Sequence, residues 1–355
     1  MKTPESTPFV LLDVNPLNHR LSGVGKVVQM MQEDLLQDDR IRFQSWFTST
    51  TDCVVPVHDA YQVSLHRRWA YWWLPMVPDQ IAITHFTNAM VPFLMPETRL
   101  GIKVLTLHDL ALVHPDHNWI PEKKSVRWKI ERALKQADHF VCVSETTRQD
   151  FLDLHPEKED QSTVISPHPG SDFRRFAESM EIHKNIRLQE KPYFLIVGNQ
   201  NERKNPLLAI EAWLSLPESY QNEVDLILIG DAGNQSDAIR KTVKSEKIKI
   251  LGYRSDEETW RWMSGALALL APARYEGFGL QVQESLWMGT PVLASNIPVF
   301  MEQFSGYAEL VEQKKEDWVE ALKKRIENGR SEEKKLRREI NGNAYGDLYL
   351  RLLNR

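Results

Sequence analysis

Short apolar runs alternate with amphipathic segments along the first half of the chain. Runs at 9–14, 81–86, 104–107 and 140–143 predict buried strands, and apolar residues at helical spacing predict a helix from about 25 to 36. Strands that alternate with helices are typical of an α/β domain built on a parallel sheet. The first half of the chain is therefore expected to form such a domain.

A polar stretch interrupts this rhythm before a second series of strands begins. We predict an N-terminal domain at 1–175, a linker at 176–192 and a C-terminal domain at 193–340. The predicted strands of the second domain lie at 193–197, 226–229, 248–251, 266–270 and 291–294. A C-terminal helix is expected within 341–355, where one arrangement packs it back on the N-terminal domain. Doubly wound sheets bind ligands beyond the carboxyl ends of their strands, so the site is expected between the two domains.

Composition narrows the class of protein. The chain has 355 residues, 42% of them hydrophobic, which suits about two globular domains. Its 44 basic and 49 acidic residues give a formal charge of −5, which argues against a nucleic-acid surface along the whole chain. Two cysteines are too few for a disulfide framework or a zinc site, and no apolar run reaches the roughly 18 residues of a membrane span. We therefore expect a cytoplasmic protein.

The most informative segment is 271–294, APARYEGFGLQVQESLWMGTPVLA, in which a strand, a glycine loop and a helix follow one another. Gly277 and Gly279 let a ligand approach the backbone, and the unpaired amides at the helix start suit a phosphate group. Glu284 lies about one turn inside the helix, at a depth where its carboxylate can accept both hydroxyls of a ribose. Glu276, before the glycines, is expected to reach a sugar on the other side of the phosphates. The alternative is two solvated surface acids.

A second polar segment, VGNQNERKN at 197–205, follows the first strand of the second domain and precedes a helix that opens at Pro206. Arg203 and Lys204 stand just ahead of that helix, where the helix dipole disfavours cations. An anion between them would explain their placement, and two fixed cations beside a diphosphate do the work often given to Mg²⁺. The chain contains no Asp-x-Asp pair, so no metal site and no cofactor are expected. A solvated basic pair is the alternative.

Candidate residues of the first domain follow its predicted strands. Gly23 and Gly25 lie in the loop after the first strand, where a tight turn is the alternative to a ligand contact, since the full dinucleotide glycine pattern is missing. His108 and Asp109 come directly after a strand, and His85 ends another. Each histidine is either a buried structural residue or a contact to sugar or acceptor.

Together these segments resemble the family-4 retaining glycosyltransferases. The resemblance runs from the first strand to about residue 295. It is carried by the loop 22–25, Thr-Leu-His-Asp-Leu at 106–110, Val-Ser-Glu at 143–145, Glu-Arg-Lys-Asn at 202–205, and Glu-Gly-Phe-Gly-Leu at 276–280 with Glu284. The family implies the GT-B architecture, in which two Rossmann-like doubly wound domains face each other across a cleft. It also implies an acceptor in the N-terminal domain and a UDP- or GDP-sugar in the C-terminal one.

The resemblance assigns roles by position in the donor site. Arg203 and Lys204 match the basic pair on the donor pyrophosphate, and Glu284 matches the ribose carboxylate. Glu276 matches the group that grips the transferred sugar, together with the backbone of Gly277, Phe278, Gly279 and Leu280. Asn199, after the strand, joins the donor-binding candidates.

Further roles implied by the family concern the first domain and the reaction. His108 matches an active-site histidine near the transferred sugar, and Gly23 with Gly25 matches the loop near the diphosphate. Transfer is expected to retain anomeric configuration without a metal, the leaving phosphate helping to deprotonate the acceptor.

Two basic and aromatic segments are candidates for acceptor or membrane contact. The stretch 65–78, LHRRWAYWWLPMVP, includes Trp72, which with His85 and Asp109 forms the set of candidate acceptor-binding residues. The segment 123–135 carries several lysines and arginines on a predicted helix that suits anionic lipid. A buried helix and a solvated face are the respective alternatives. Peripheral contact with the inner membrane face is thus one expectation.

The predicted activity is transfer of a hexose from a UDP- or GDP-sugar to a polysaccharide or lipid-linked glycan. Two other classes of function fit parts of the pattern. One is a non-catalytic protein that binds a nucleotide sugar for a partner enzyme. The other is a nicotinamide-dependent oxidoreductase, against which the incomplete glycine pattern counts.

Overall fold

A computed structural model describes the fold of the chain. The residues that it describes are 7–18, 22–47, 60–62, 81–89, 101–114, 124–182, 188–330, 335–337 and 340–354. They divide into two units, Met1–Gly170 with Glu339–Arg355, and Ser171–Arg338. The chain therefore leaves the first unit, completes the second, and returns to the first for its last helix.

The first unit is built on a parallel sheet of seven strands. The strands are β1 (Phe9–Asp13), β2 (Arg42–Phe47), β3 (Ala60–Gln62), β4 (Ile83–Phe86), β5 (Ile102–Leu107), β6 (His139–Cys142) and β7 (Ser162–Val164). Their order in the sheet is β3-β2-β1-β4-β5-β6-β7. Since the direction of winding reverses between β1 and β4, the carboxyl ends of these two strands mark the switch point of a doubly wound sheet.

Four helices accompany this sheet within the described residues. They are α1 (Gly23–Leu36), α2 (Lys124–Gln136), α3 (Glu145–Leu154) and, after the second unit, a C-terminal helix named below as α12 (Ala344–Leu353). One face of the sheet packs Leu11, Leu105 and Phe140 against α2 and α3, whose Phe151 contacts the Phe140 ring at a centroid distance of 4.5 Å. Hydrophobic burial on both faces of a parallel sheet is what the continuous apolar runs predict.

The C-terminal helix α12 packs on α1 and on the first sheet. The hydroxyl of its Tyr349 lies 2.6 Å from Nδ1 of His85 in β4, and Tyr349 is fully buried. An ion pair of 2.8 Å joins Asp347 of this helix to Arg40, just after α1. The last helix is thus part of the core of the first unit.

The second unit contains a parallel sheet of six strands. The strands are β8 (Tyr193–Val197), β9 (Asp225–Ile229), β10 (Ile248–Gly252), β11 (Ala268–Ala271), β12 (Val292–Ser295) and β13 (Glu309–Val311), in the order β10-β9-β8-β11-β12-β13. The helices are α4 (Ser171–Ile182), α5 (Pro206–Leu214), α6 (Glu218–Glu223), α7 (Ser236–Thr242), α8 (Asp256–Gly265), α9 (Leu280–Met288), α10 (Pro298–Phe304) and α11 (Lys315–Asn328). Here the winding reverses between β8 and β11.

Alternate residues of the central strand β8 serve two separate cores. Leu195 packs on one face with residues of α8, α9 and α10, whereas Phe194 and Ile196 pack on the other face with Trp213 of α5 and Trp318 of α11. Because the sheet is covered on both sides, ligands reach it at the ends of the strands and not across its faces. The loops at the carboxyl ends of β8 and β11 are therefore placed for function.

The structure changes two details of the sequence expectations. Residues 171–182 form α4, which belongs to the second unit, so the unit boundary falls at Gly170 and the first seven residues of the stretch assigned to the linker are helical. The loop predicted at 22–25 is already helical, since α1 begins at Gly23 with Ser22 as its N-cap. Among the described residues, no helix has the length and apolar character needed to cross a membrane.

Candidate functional site

The loops that follow β8 and β11 meet at the switch point of the second sheet. Main-chain amides fix the first of them: Gly198 donates to Ile229 and Gln200 donates to Asp231. The second is tied to the first, because the amide of Arg274 donates to the carbonyl of Arg203 at 2.8 Å. The sequence does not indicate how far apart these two segments lie. In the fold they are in direct contact.

Three predicted side chains form one buried ionic cluster in these loops. Nη1 of Arg203 lies 3.0 Å from Oε2 of Glu276, and Nζ of Lys204 pairs with Oε1 of the same carboxylate. Glu276 is 5% exposed, whereas the side chains of Arg203 and Lys204 are 27% and 20% exposed. Two cations and one anion leave the cluster with a net charge of +1. It therefore presents positive charge toward solvent above a buried carboxylate.

The cluster determines the ionisation state of Glu276. Burial by itself would raise the pKa of this carboxyl group, but the charges of Lys204 and Arg203 and their hydrogen bonds outweigh burial and hold the pKa below its usual value. Glu276 is thus ionised at neutral pH. A buried carboxylate in this state accepts hydrogen bonds and does not act as a proton donor.

Further contacts, which the sequence did not indicate, hold the basic loop in place. Glu202 accepts a hydrogen bond of 2.7 Å from Arg274, across the two loops. Oδ1 of Asn201 accepts from the amide of Lys204 at 2.9 Å, and the amide of Glu202 donates to Asn234 at 2.8 Å. Glu202 stands beside the basic pair and Arg274 follows a strand, and both are visible in the sequence. Nothing in the sequence indicates that they contact each other. Asn199, predicted to bind ligand, is exposed at the start of this loop.

Helix α9 begins directly after the second loop, as the sequence predicts. Its N-cap, Gly279, has φ +103°, and a Cβ atom there would lie 2.7 Å from the ring of Phe300, so only glycine fits. The cap has no side-chain hydrogen bond, and helix geometry leaves the amides of Leu280 and Gln281 without an acceptor inside the helix. These amides and the positive end of the helix dipole form a place for an anion beside the ionic cluster. Gly277 and Phe278 are buried in the same loop.

Glu284 lies on α9, four residues after Leu280, and is 6% exposed. At 1.5 Å per residue it stands about 6 Å along the helix axis from the first turn. Like Glu276 it is a buried carboxylate near the start of this helix. This burial contradicts the alternative of a solvated helix acid, and the geometry suits a polar ligand group at that depth.

Glycine also permits a close approach between β8 and β9. Gly230 follows β9 with φ +143°, and a Cβ atom there would lie 2.0 Å from the carbonyl oxygen of Gly198. Any side chain at Gly230 would displace the loop that carries Arg203 and Lys204. A glycine at the end of a buried strand is visible in the sequence, but Gly230 is not among the predicted site residues.

The first unit brings its own polar residues to the switch point of its sheet. Nε2 of His108, after β5, lies 2.8 Å from the carbonyl oxygen of Thr87, after β4. A carbonyl only accepts, so Nε2 carries the proton and Nδ1 of the neutral ring is an acceptor. Burial lowers the pKa of His108, partly offset by the Thr87 hydrogen bond and by the charge of Asp109. The half-buried ring of His108 is thus neutral at physiological pH.

Among the other predicted residues of the first unit, His85 is not placed for substrate contact. His85 is fully buried, with Nδ1 2.6 Å from Tyr349 Oη and Nε2 2.7 Å from Thr106 Oγ1. Its prediction as an acceptor-binding residue is wrong, because both ring nitrogens are engaged inside the core. Asp109 accepts a turn hydrogen bond from the amide of Ala111 at 3.2 Å. Trp72 lies outside the described residues.

Gly23 and Gly25 occupy the first turn of α1, not a separate loop. The side chain of Ser22 accepts from the amide of Gly25 at 3.3 Å, and Gly23 is exposed. The two glycines thus present the start of a helix on the first unit. Across the described ranges, no group of three or more His, Cys, Asp or Glu side chains is arranged to hold a metal ion.

Comparison with protein families gives two matches along the chain. The model for "Glycosyl transferases group 1" matches residues 178–347, and that for "Glycosyltransferase Family 4" matches residues 37–168. The first match includes the ionic cluster and α9. The second includes His108.

Relatives by sequence are named as transferases of bacterial glycans. The chain is 28% identical to the O-antigen chain mannosyltransferase B of Escherichia coli over 246 residues, 67% of this chain and 62% of the relative. It is 26% identical to the O-antigen chain mannosyltransferase RfbU of Salmonella typhimurium over 250 residues, 68% of this chain and 64% of the relative. The matched region thus spans a little under two thirds of each relative's length.

Solved structures share the fold. WaaG, a glycosyltransferase involved in lipopolysaccharide biosynthesis, superimposes with a TM-score of 0.67 at 18% identity, covering 90% of each chain. Alr3699/HepE of Anabaena, solved in complex with UDP, superimposes with a TM-score of 0.65 at 15% identity, covering 91% of this chain and 90% of the other. At these identities the likeness concerns the fold alone.

Proposed function

Since this chain belongs to the family-4 type of glycosyltransferases with the GT-B fold, we propose that it transfers a hexose from a nucleotide sugar to a glycan or lipid-linked acceptor. The observation that carries the proposal is the cluster of Arg203, Lys204 and Glu276 beside the N-terminus of α9. It lies at the switch point of the second sheet, where open α/β sheets bind nucleotides.

The cationic pair and the helix start suit the diphosphate of the donor. A guanidinium carries five N–H donors and an ammonium three, so pairing with one carboxylate does not by itself exhaust Arg203 or Lys204. The net charge of +1 and the amides of Leu280 and Gln281 attract phosphate oxygens. We therefore place the pyrophosphate between the basic loop and the first turn of α9.

Two buried carboxylates then bind the two sugar groups of the donor. Glu284, about one turn along α9, accepts from the ribose hydroxyls. Glu276 accepts from hydroxyls of the transferred sugar, with the backbone of 277–280 beside it. Carboxylates accept hydrogen bonds from hydroxyl groups, and both acids are buried beside the proposed donor, which favours a ligand rich in hydroxyls.

Charge development explains how these residues accelerate transfer. As the glycosidic bond to phosphate breaks, negative charge grows on the leaving diphosphate, and Arg203 and Lys204 stabilise it without a metal ion. The acceptor hydroxyl attacks from the side of the leaving group and gives its proton to a phosphate oxygen, so that configuration is retained. His108, neutral and with Nδ1 as an acceptor, orients a substrate hydroxyl.

The donor sugar is proposed from the relatives. Two of them are named O-antigen chain mannosyltransferases, which favours mannose as the hexose and a growing bacterial polysaccharide as the acceptor. The donor nucleotide is UDP or GDP. A thermal-shift panel of UDP- and GDP-sugars distinguishes them, because a ligand that binds the folded state raises the melting temperature.

Two substitutions test the site. Lys204→Ala and Glu284→Ala should each abolish transfer, at least 100-fold by loss of charge stabilisation or of donor positioning, while the fold is retained. Lys191→Ala is the matched control, since Lys191 also pairs with a buried acid, Asp225, at 2.6 Å, but stands before β8 at the opposite end of the strand. Unchanged turnover of the first two variants would refute the assignment. Donor binding by the wild type without transfer to any acceptor would instead favour a non-catalytic binding protein.

Helix α2 supports a second proposal, contact with an anionic membrane surface. Its exposed stripe consists of Lys124, Trp128, Arg132 and Lys135, and Trp128 is 51% exposed with the Arg132 guanidinium 5.5 Å from its ring centroid. A tryptophan among cations suits the headgroup zone of anionic lipid, on a chain whose net charge is otherwise negative. Sedimentation with vesicles of anionic lipid should retain the wild type. Trp128→Ala combined with Arg132→Ala should weaken binding, and equal binding to zwitterionic vesicles would refute the proposal.

A further inference from the structure

Asp13 occupies the switch point of the first sheet. It is the last residue of β1, and Thr87 is the first residue after the neighbouring strand β4. The hydroxyl of Thr87 donates to the carbonyl oxygen of Asp13 at 2.8 Å, and His108 donates to the carbonyl oxygen of Thr87 at 2.8 Å. The end of β1 is thus linked by hydrogen bonds to a predicted site residue.

The two carboxylate oxygens of Asp13 have different surroundings. Oδ1 accepts from the amide of Asn15 at 2.9 Å and from its Nδ2 at 2.5 Å. Oδ2 is buried and accepts no hydrogen bond from the described part of the chain. The residue as a whole is fully buried. A buried carboxylate oxygen without a donor disfavours the ionised form, and a proton would bind there.

The hydrogen bonds to Oδ1 fix the backbone that precedes α1. Asn15 opens a 3₁₀ turn, Asn15–Asn18, which contacts α1. The first turn of that helix contains Gly23 and Gly25, which are candidate donor-binding residues. An ionised acceptor makes a stronger hydrogen bond than a neutral one, so the charge on Asp13 sets how firmly this turn is fixed.

We propose that Asp13 is a positioning residue for glycosyl transfer: its carboxylate fixes the Asn15–Asn18 turn ahead of α1, and protonation at Oδ2 loosens that turn and slows the reaction. The inference rests on the proposed transferase function. It adds a group that touches neither donor nor acceptor and acts through Asn15.

The proton equilibrium of Asp13 falls in an accessible range. Burial raises its pKa to about 6, although the backbone and side chain of Asn15 and the backbone of Thr87 lower it by interacting with the carboxyl group. The titratable groups on the strands beside β1 are Arg42, at the opposite end of β2 from Asp13, and His85 of β4, whose ring contacts Tyr349 and Thr106. His108, after β5, faces Thr87. Lys26 lies in the first turn of α1, the helix that the Asn15–Asn18 turn contacts.

The test is the pH dependence of transfer, measured as kcat/KM between pH 5.5 and 8. With a pKa of about 6, the ionised fraction rises about fourfold over this interval, and the wild-type rate should rise with it. Asp13→Asn keeps an oxygen for Asn15 but cannot titrate, so its rate should be lower at pH 8 and nearly constant down to pH 5.5. Asp225→Asn is the matched control: it neutralises a buried carboxylate of the second unit, 5% exposed, and should keep the fourfold dependence.

A second variant keeps the test decisive if Asp13→Asn does not fold. Asn15→Ala removes the donor Nδ2 but leaves Asp13 in place, and since that hydrogen bond lowers the pKa, the decline should move to higher pH. Three results would overturn the role of Asp13 without touching the transferase proposal. They are a wild-type rate that does not change from pH 5.5 to 8, a rate of Asp13→Asn that falls at low pH as much as the wild type's, and a rate of Asn15→Ala that falls at the same pH as the wild type's. Absence of transfer by the wild type at every pH would instead refute the transferase proposal, and this inference with it.

Discussion

Replacing Glu276 by glutamine should separate the stability of the ionic cluster from its affinity for diphosphate. The carboxylate is 5% exposed and contacts both Arg203 and Lys204. Glutamine keeps the size and one accepting oxygen but removes the charge. The change therefore leaves two cations side by side and raises the net charge of the cluster from +1 to +2.

The magnitude follows from the geometry. Unit charges about 3 Å apart interact by roughly 5 kcal/mol at an effective dielectric constant of 20, and breaking a buried pair typically costs about 3–5 kcal/mol. Because the cations retain partial exposure and glutamine retains a hydrogen bond, the free energy of unfolding should fall by about 2–4 kcal/mol. For a domain of this size that lowers the melting temperature by roughly 5–15 °C.

Ligand binding should change in the opposite direction. A nucleoside diphosphate no longer competes with Glu276 for the two cations, and at the same dielectric constant the added unit of positive charge is worth roughly 2 kcal/mol at about 7 Å, or about 30-fold in affinity. UDP or GDP, used without the sugar that Glu276 is proposed to bind, should therefore raise the melting temperature of Glu276→Gln by more than that of the wild type. The assay is a thermal shift at matched ligand concentrations.

Asp225→Asn provides the control for this experiment. Asp225 is also 5% exposed and pairs with two lysines, Lys191 at 2.6 Å and Lys249 at 3.0 Å. It lies at the amino ends of the strands of the same sheet, opposite the ends that carry the cluster. It should lose comparable stability without any gain in ligand response. A shift in Glu276→Gln no larger than in the wild type, or an equal gain in Asp225→Asn, would refute the placement of the diphosphate at the cluster.

Four further outcomes are expected. The pKa of Glu276 is lowered in the folded protein, so its contribution to stability is complete above about pH 4.5 and is lost as pH falls below that value; a loss near neutrality in pH-dependent unfolding would contradict the pairing. Asp13 has the opposite sign: with a folded pKa of about 6 against a usual 3.8, stability falls by up to about 3 kcal/mol as pH rises from 4 to 6, and denaturant titration of Asp13→Asn should lack this trend. Gly279→Ala, at φ +103° and with its Cβ 2.7 Å from Phe300, should cost about 2–4 kcal/mol and abolish transfer, whereas Gly306→Ala, at φ +79° with open space around it, should cost about 1 kcal/mol in the same unfolding assay. A chelator should leave the transfer rate nearly unchanged, and a requirement for Mn²⁺ or Mg²⁺ would contradict the role given to the two cations.

The sequence predicted best where local signals and the fold agree. The segment around Gly279 carries a positive-φ glycine, a helix and a terminating glycine at 289, and the observed helix α9 has the predicted bounds. The strands β1, β8 and β9 are largely apolar runs, because a parallel sheet buries them on both faces. The two-domain α/β architecture followed from these runs.

Elements with weak local signals were missed. Strand β2 (RFQSWF) alternates polar with aromatic residues, and β7 is only three residues long with two hydroxyl side chains, so neither resembles a buried strand. The ionic cluster joins Glu276 to residues 72 and 73 positions earlier in the chain, a distance that only the order of the strands sets. Likewise, nothing local to His85 reveals its contact with Tyr349, which lies 264 positions away.

The discontinuous first unit has a consequence for biosynthesis. Residues 171–338 form an uninterrupted unit that is translated completely before α12 is made. The sheet of the first unit is translated first. His85 of β4 nevertheless lacks its contact with Tyr349 until α12 has been made. The second unit thus has all of its residues before the first unit does, and a chain that terminates before 344 would expose apolar surface on the first unit and become a substrate for chaperones or proteolysis.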